Sequence, residues 1–320
     1  MGTIFCSLAT AALVNQQLRV DKKHIHPLPM NTPTVIESRG RAVTVTLLDA
    51  NHCPGAVMFF FEIGKRNILH VGDFRWSRDA MLQDSSSVLQ NIVSGKVALD
   101  ELYLDTTYCN EKYHLPPQSK AIKATIQTFE KEMKRCRETT PNTKALHLFG
   151  AYTIGKEKIF LSVAEHFGLK VYVDKARYRI LSTLNLPEQY MNLLTTNKEM
   201  SDMWVVPMGH LNMKKMPEYF AIANSKPFAP AYNRIIGYRP TGWSLSRTGI
   251  ISSRSSGKLA IHSIPYSEHS SFPELVDCLA CLKPAKIIPT VSASKSDEQV
   301  KLLTQALRNK QAASKMFSTA

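Results

Sequence analysis

The stretch Leu47–Trp76 reads LLDANHCPGAVMFFFEIGKRNILHVGDFRW, and it predicts the framework of the fold. The apolar strand VTVTLLDA leads to His52 and a Cys-Pro-Gly turn; VMFFFEI follows, the chain turns at Gly64-Lys65, and NILHV leads to Asp73. This pattern predicts a strand hairpin in which a histidine follows the first strand and an aspartate follows the last strand. Because zinc binds imidazole and carboxylate groups held on rigid supports, His52 and Asp73 are candidate metal ligands.

Each of these residues also has a simpler interpretation. A single histidine after a strand is more often a hydrogen-bonded residue than a ligand, and Gly-Asp is an ordinary turn. The particular residues of this stretch favour a metal site over these simpler interpretations. DANHCPG, followed by LHVGDFR, resembles the third and fourth motifs of the metallo-β-lactamase superfamily, in the form found in its Artemis- and Apollo-like DNA cross-link repair nucleases.

Composition limits the classes of partner. The chain has 320 residues, enough for two domains, and it carries 40 Lys+Arg against 26 Asp+Glu, a net charge of +14. An enzyme of small neutral substrates has no need of this excess, whereas a polyphosphate such as DNA does. The alternative is that the protein is basic without binding nucleic acid.

The cysteines and the apolar runs indicate the compartment. Six cysteines with irregular spacing are too few for a disulfide framework in a chain of this length, which predicts a reducing environment. Cys278 and Cys281 form a CxxC within the apolar helical run FPELVDCLACL and are predicted to be buried helix residues. The apolar runs are too short for a membrane span, and the N-terminus lacks a signal-peptide pattern, so we expect a soluble intracellular protein without a membrane partner.

The first forty residues predict a buried strand, GTIFCS, a short helix capped by Ser7, and an extended connection. His24 and His26 stand near prolines with no carboxylate nearby and are predicted to be loop residues. The family's HxHxDH segment should precede a GTIFCS-like strand, and this sequence starts at that strand. The resemblance therefore implies an N-terminally incomplete metallo-β-lactamase domain.

Another carboxylate follows the strand LYL. Asp105 stands at the end of this strand, where it can cap a helix or face the same rim as His52 and Asp73. LDTTYC resembles the first motif of the β-CASP nucleases, and this resemblance implies a catalytic role for Asp105.

A change in composition predicts an inserted domain between about residues 119 and 251. A basic amphipathic helix is followed by strand, helix and strand, which indicates an α/β layer with a parallel sheet. Its turn, Gly150 to Lys156, matches the GxxxxGK phosphate-loop pattern, but Glu157 stands where a nucleotide-binding loop needs Ser or Thr, which excludes an ATPase. A glycine turn at a helix start can still hold one phosphate. GAYTIGKE resembles the family's GxYxIGKE segment, which implies DNA contacts for Tyr152 and Lys156.

Other residues of the insertion are weaker candidates. YRPTGW, with Trp243, resembles the family's PTGW segment, and Arg239 is a candidate DNA contact. His210 has no nearby partner in the sequence and is predicted to be structural. Five basic residues are candidates for phosphate contacts, although each alone is more often a solvated charge: Lys175, Arg177, Arg234, Arg239 and Arg254.

The strand KLAIHSIPY ends in Ser267-Glu-His269-Ser-Ser271, ahead of an apolar helix. These polar groups can cap the helix, bind phosphate or protonate a leaving oxygen. YSEHSSF resembles the second β-CASP motif, which implies that His269 is a general acid or metal ligand and that Ser270 and Ser271 lie near the phosphate. Val291 stands where RNA-processing members carry a histidine, and valine resembles the DNA-acting branch.

The resemblance implies an α/β fold: an αββα metallo-β-lactamase sandwich, N-terminally incomplete, formed by residues 1–118 and 252–320, with an inserted β-CASP domain at 119–251 and DNA in the cleft between them. It implies a zinc-dependent 5′-to-3′ exodeoxyribonuclease of interstrand cross-link repair, located in the nucleus. Zinc would lower the pKa of water to about 7 for attack on the phosphodiester. Because catalytic zinc sites normally use three protein ligands and a water, His52 and Asp73 alone are an incomplete set.

Three hypotheses therefore remain open from the sequence. The chain is part of an active DNA exonuclease; or it is a catalytically inactive isoform that binds DNA or a repair partner; or it acts on RNA or a small ester. Val291 and the basic insertion disfavour the third hypothesis.

Overall fold

The computed structural model describes residues 2–38, 40–139, 144–225, 232–242 and 250–318. The strands in these ranges are β1 (Ile4–Cys6), β2 (Ile25–Pro27), β3 (Thr34–Ser38), β4 (Arg41–Asp49), β5 (Val57–Ile63), β6 (Arg66–His70), β7 (Glu101–Leu104), β8 (Lys144–Ala151), β9 (Val171–Tyr172), β10 (Leu194–Thr195), β11 (Met203–Pro207), β12 (Tyr232–Pro240), β13 (Ser252–Ser256), β14 (Leu259–Ile264) and β15 (Lys286–Pro289).

The helices in the same ranges are α1 (Leu8–Leu18), α2 (Arg78–Met81), α3 (Val88–Val93), α4 (Gln118–Thr139), α5 (Glu157–Phe167), α6 (Lys175–Ser182), α7 (Glu188–Leu193), α8 (Met216–Ala223), α9 (Phe272–Leu282) and α10 (Ser296–Ser318). The chain divides into two compact units, the first formed by Met1–His114 with Glu268–Ala320 and the second by Leu115–Ser267. The second unit thus extends past the predicted boundary at residue 251, because β13 and β14 pair into its sheet.

The first unit is built on a mixed six-stranded sheet with the order β15-β7-β6-β5-β4-β3. The predicted hairpin forms its centre: β4 and β5 are antiparallel, and Gly64-Lys65 connects β5 to β6. Because β4 and β6 are both antiparallel to β5, and β7 is parallel to β6, these three strands run in the same direction. Their carboxyl ends therefore meet at one edge of the sheet.

Apolar side chains cover both faces of this sheet. On one face a core of strand residues packs with α3, α9 and α10, and it encloses Trp76, Cys278 and Cys281. The CxxC is thus buried in a helix, as predicted, and burial raises the pKa of the Cys278 thiol well above its ordinary value. On the other face Leu28 and Phe5 pack against Val45, Leu47 and neighbouring aromatic residues.

A parallel two-stranded sheet, β1 with β2, lies on that second face, and α1 contacts β2. The order of layers is therefore helix, sheet, sheet, helix, and the predicted αββα class is confirmed. Two details differ from the prediction. β1 is only partly buried, since Ile4 is exposed, and His26 lies in β2 rather than in a loop because β2 pairs with β1.

The second unit has a seven-stranded sheet with the order β10-β9-β11-β8-β12-β14-β13. Every pairing in it is parallel except that of β13 with β14. One face carries an apolar cluster that includes Trp204, Met216 and Ile261. On this sheet Phe149 stacks on Tyr238, and the α4 residue Phe129 packs on His147. The α/β character predicted for the insertion is confirmed.

Candidate metal centre

Asp73 lies just beyond the carboxyl end of β6. Gly72 has a φ of +58°, and a Cβ atom at this position would lie 3.3 Å from the Val57 carbonyl oxygen. Glycine is therefore favoured here on two grounds, backbone conformation and space. The amide of Gly72 donates to His70 Nδ1 at 3.1 Å, which stabilises the turn. The result is an exposed Asp73 side chain at the sheet edge.

His52 lies in the loop that follows β4. The preceding Asn51 has a φ of +51°, and its side-chain amide donates to the Arg75 carbonyl at 2.9 Å, which ties this loop to the one that carries Asp73. His52 Nδ1 lies 2.8 Å from the carbonyl oxygen of Glu268. A carbonyl only accepts, so Nδ1 carries the proton and Nε2 is the nitrogen that a metal would bind.

His269 completes a cluster of three. Its ring centroid lies 4.7 Å from that of His52, and potential ligand atoms of His52, Asp73 and His269 all lie within 4.8 Å of one another. Two imidazoles and a carboxylate form a donor set typical of a catalytic zinc site, which uses three protein ligands. The potential ligand atoms of these three residues therefore fit a metal ion.

Asp105 lies behind this cluster. Its carboxylate is 2% exposed, and Oδ2 accepts from His269 Nδ1 at 2.8 Å. Oδ1 accepts from the backbone amide and the hydroxyl of Thr107 at 3.0 and 2.6 Å. Burial is the largest single influence on the pKa of Asp105 and raises it, but the hydrogen bonds from His269 and Thr107 together outweigh burial and hold this pKa below its ordinary value. Asp105 is thus ionised and orients His269.

Ser270 and Ser271 are enclosed rather than open to a phosphate. Ser270 Oγ accepts from the Trp76 amide at 2.9 Å and donates to the Phe74 carbonyl at 3.2 Å. Ser271 caps α9, and its amide and hydroxyl both donate to Glu274 Oε2. The structure therefore gives both serines a scaffold role in place of the phosphate contacts expected from sequence, because tertiary neighbours occupy their hydroxyls.

The turn after β8, in the second unit, carries Tyr152 and Lys156. Lys156 is the N-cap of α5 with a φ of +72°, and its ammonium lies 5.4 Å from the centroid of the Tyr266 ring. Glu157 is buried and accepts from the Gly155 amide at 2.7 Å. This explains why an acidic residue follows the lysine: its carboxylate stabilises the turn from inside. Tyr152 is exposed.

The remaining basic candidates separate into two groups. Arg177 and Arg234 are turned inward: Arg177 donates to the Tyr152 carbonyl at 2.5 Å, and Arg234 donates to Glu132 at 3.2 Å. Neither supports the predicted phosphate contact, since each is used within the fold. Lys175, Arg239 and Arg254 are exposed. Trp243 lies outside the described residues.

The other histidines do not join the cluster. Among the described residues, the group that could hold a metal contains neither His24 nor His26. His210 Nδ1 lies 2.6 Å from the Tyr219 hydroxyl, a structural contact. Sequence reasoning did not find the role of Thr107, although the threonines of LDTTYC were a signal, nor that of the Glu268 carbonyl, for which a sequence has no signal.

Comparisons with known proteins agree with this geometry. A family model described as DNA repair metallo-beta-lactamase matches residues 188–295. The chain is 39% identical to the human DNA cross-link repair 1A protein over 295 residues, which are 90% of this chain and 26% of that protein. It is 33% identical to the chicken 5' exonuclease Apollo over 288 residues, which are 90% of this chain and 53% of that protein.

A solved structure also matches. The crystal structure of a protein of unknown function from Enterococcus faecalis V583 superimposes with a TM-score of 0.57 and 13% identity, covering 92% of this chain and 71% of that one. At this identity the likeness concerns the fold alone. The chain spans about a quarter and about half of the two curated relatives above, respectively.

The layered α/β fold, with histidines and an aspartate at one sheet edge, defines a protein of the metallo-β-lactamase class. Within that class, the chain belongs to the DNA cross-link repair family. Membership of this family implies a metal ion. In the described part of the chain, none of the helices has the length and apolar character needed to span a bilayer.

Proposed function

We propose that this protein is a zinc-dependent 5′-to-3′ exodeoxyribonuclease that acts in the nucleus in interstrand cross-link repair. The observation that carries the proposal is the cluster of His52, Asp73 and His269, whose potential ligand atoms lie within 4.8 Å of one another. The name of the chicken relative, 5' exonuclease, and that of the human relative, DNA cross-link repair 1A protein, support the type of reaction and the pathway.

The donor set supports zinc among divalent metals, because zinc accepts mixed nitrogen and oxygen ligands in sites with three protein ligands. When bound, zinc supplies a Lewis acid that polarises a phosphodiester oxygen and makes water more acidic. His52 and His269 would each bind through Nε2, since their Nδ1 atoms are hydrogen-bonded to Glu268 and Asp105. Asp73 would supply the carboxylate.

Asp105 acts through His269. Its ionised carboxylate fixes the ring orientation and makes the imidazole a stronger electron donor. The pKa of Asp105 is below its ordinary value, so this role persists to mildly acidic pH. Asp105 is thus a positioning residue in this proposal, and His269 is the group that reaches the metal.

Lys156, Tyr152 and Arg239 are the proposed DNA contacts of the second unit. The Lys156 ammonium is held near the rings of Tyr152 and Tyr266, at 6.0 and 5.4 Å from their centroids. A cation held in this way loses little side-chain entropy when it pairs with a phosphate. The net charge of +14 favours association with a polyanion.

The experiment measures cleavage and zinc binding together. The full chain and its Asp73→Asn variant are incubated with a 5′-phosphorylated DNA strand and a matched RNA strand, with zinc or with a chelator, and zinc affinity is measured by calorimetry. We expect zinc-dependent degradation of DNA from the 5′ end, and loss of both cleavage and tight zinc binding in the variant.

Asp79→Asn is the matched control, because Asp79 is an exposed aspartate close by in the sequence. It should retain both properties. Cleavage that survives the chelator or Asp73→Asn would contradict the proposal, and a wild-type chain that binds DNA without cleaving it would favour the non-catalytic hypothesis.

A further inference from the structure

One face of the second unit's sheet is apolar along most of the strands and becomes polar at one edge. Along β8, β12 and β14, paired residues on this face form rows, and the first two rows are nearly all apolar: Leu146, Ile235 and Leu259, then Leu148, Gly237 and Ile261. The next row, at the carboxyl ends of β12 and β14, carries Arg239 and Ser263 instead. Continuing the apolar layer would require an apolar residue at each position, so this polar row breaks the pattern of the fold.

A pocket of about 290 Å³ opens at this row. Arg239 and Ser263 line it from the parallel strands, and Ser252 and Arg254 line it from the edge strand β13. Ser252 pairs directly with Ser263, which brings the two hydroxyl-bearing residues side by side. None of the described residues that line the pocket is acidic. The pocket therefore combines two positive charges with hydroxyl groups, a composition suited to an anion.

The guanidinium of Arg239 is oriented within the pocket. Its Nη2 donates to Ser263 Oγ at 3.1 Å, and Ser263 is buried. A guanidinium offers five N–H donors in a planar fork, so this contact leaves the rest of the fork for a ligand. Arg254 adds a second guanidinium from the neighbouring strand pair. Each guanidinium can donate two parallel N–H bonds to two oxygens of a phosphate, a contact that a monatomic anion such as chloride cannot match.

The location favours the phosphate of a strand over an isolated small anion. β12 is the parallel neighbour of β8, and the turn with Tyr152 and Lys156 follows the carboxyl end of β8. In open α/β sheets, ligands bind at the carboxyl ends of the strands. Adjacent strands lie about 4.8 Å apart. The pocket and the Lys156 turn thus lie along the same sheet edge, where one extended polyanion can reach both.

We infer that this pocket binds a phosphate group of the DNA strand through Arg239 and Arg254, with Ser252 and Ser263 as hydroxyl partners. The inference rests on the proposed DNA substrate and adds a defined phosphate subsite, with Arg254 as a DNA contact.

The test measures binding without cleavage. Fluorescence anisotropy of a short labelled single-stranded oligodeoxynucleotide is recorded with the full chain in EDTA, over a series of salt concentrations. For Arg254→Ala we expect weaker binding and a salt slope smaller by about 0.7, the value for one lost phosphate contact on a single strand. Arg254→Lys should keep the slope but bind more weakly than wild type, because an ammonium cannot form the bidentate contact.

Lys258→Ala is the matched control. Lys258 lies in the turn of the same β13–β14 hairpin, is exposed, and does not line the pocket. Its removal should leave the slope unchanged. An Arg254→Ala variant that behaves like Lys258→Ala overturns the inference. Comparing 5′-phosphate with 5′-hydroxyl strands identifies the source: an equal loss on both assigns an internal phosphodiester, and a loss restricted to the phosphorylated strand assigns the terminal phosphate.

The outcomes separate this inference from the proposed function. Suppose that cleavage depends on zinc and on Asp73, but that Arg254→Ala binds DNA like wild type. This result would contradict the phosphate subsite and support the proposed nuclease function. If instead DNA binding depends on Arg254 but the chain does not cleave DNA, the result would contradict the proposed function and support the phosphate subsite.

Discussion

His262 and His269 lie seven residues apart in the sequence, and each is hydrogen-bonded to a carboxylate that is almost fully buried. Their surroundings differ. His262 is 5% exposed; its Nε2 lies 3.1 Å from Glu132 Oε1 and its Nδ1 lies 2.7 Å from Ser253 Oγ. Arg234 donates to the other oxygen of Glu132. The second unit thus holds a closed network in which both imidazole nitrogens have protein partners.

The pair of His269 and Asp105 belongs to the candidate metal cluster instead. Asp105 occupies Nδ1, and the imidazole reaches the edge where His52 and the exposed Asp73 lie. A histidine–carboxylate pair is therefore not in itself a sign of function. What distinguishes the functional candidate is that its histidine lies close to potential ligand atoms of His52 and Asp73, whereas the closed network fixes the fold of its unit.

The largest effect is expected at the pair of His269 and Asp105. In Asp105→Asn the carboxylate that accepts from His269 is lost, and the amide favours the wrong tautomer of the ring. By analogy with catalytic histidines oriented by an aspartate, we expect the cleavage rate to fall by about 10⁴-fold. Single-turnover rates on 5′-phosphorylated DNA at saturating zinc measure this.

Glu132→Gln is the matched control, since it makes the same chemical change at the closed pair. Measured under conditions in which both proteins are folded, its cleavage rate should equal that of wild type. If Glu132→Gln slows cleavage as much as Asp105→Asn does, the distinction between the two pairs is wrong.

A smaller effect, on stability, is expected at the closed pair. Glu132→Ala leaves Arg234 and His262 buried without their carboxylate, and breaking a buried charge network in this way costs about 3–5 kcal/mol. Urea unfolding followed by circular dichroism measures the free energy of unfolding. Glu138→Ala, on the same helix, removes an exposed ion pair to Lys134 and should cost less than about 1 kcal/mol. Similar losses in the two variants would show that Glu132 is not part of a tightly coupled network.

The smallest effect concerns pH. His147 is fully buried beside the closed network, and burial lowers its pKa from 6.5 to about 3. The folded protein therefore keeps His147 neutral, whereas the unfolded chain takes up a proton below pH 6.5, so stability falls as the pH is lowered through this range. The slope for one proton is at most about 1.4 kcal/mol per pH unit.

In His147→Gln the slope should become smaller between neutral pH and about pH 5, above the range where carboxylates titrate. The slope that remains includes the contribution of His70, because burial lowers the pKa of that histidine too. Urea unfolding at several pH values measures it. His166→Gln is the matched control, because His166 is exposed and its removal should leave the slope as in wild type. A slope that is the same in all three proteins would assign the pH dependence to other groups.

The sequence predicted the framework of this comparison but not its details. Local sequence patterns predicted three features: the hairpin, the positions of His52 and Asp73, and the strand–helix–strand order of the insertion. Each depends only on residues that are close together in the sequence. The pairing of β14 with β12 is long-range, and no local pattern shows it. It brings the β13–β14 hairpin into the second unit, which therefore extends past residue 251.

Side-chain roles were less predictable, because tertiary neighbours decide them. From the sequence, the hydroxyls of Ser270 and Ser271 were expected to contact a phosphate. In the structure they form hydrogen bonds with Trp76, Phe74 and Glu274. Glu132 stood in a strongly charged helix with nothing to mark it as buried. Its partners Arg234 and His262 lie 102 and 130 residues later in the chain, separations that no local pattern spans.

Trp76 and Trp204, the tryptophans of the described residues, are both buried, and this has a practical consequence for spectroscopy. Trp76 lies in the core of the first unit, with its indole nitrogen on Asp277, and Trp204 lies in that of the second, with its indole nitrogen on the Ser201 carbonyl. The sequence contains three tryptophans, and Trp243 is the third. Replacing Trp243 and one of the other two by phenylalanine leaves a single intrinsic fluorophore in a chosen unit. The emission of each such protein then reports separately whether the two halves of the molecule unfold together or one after the other.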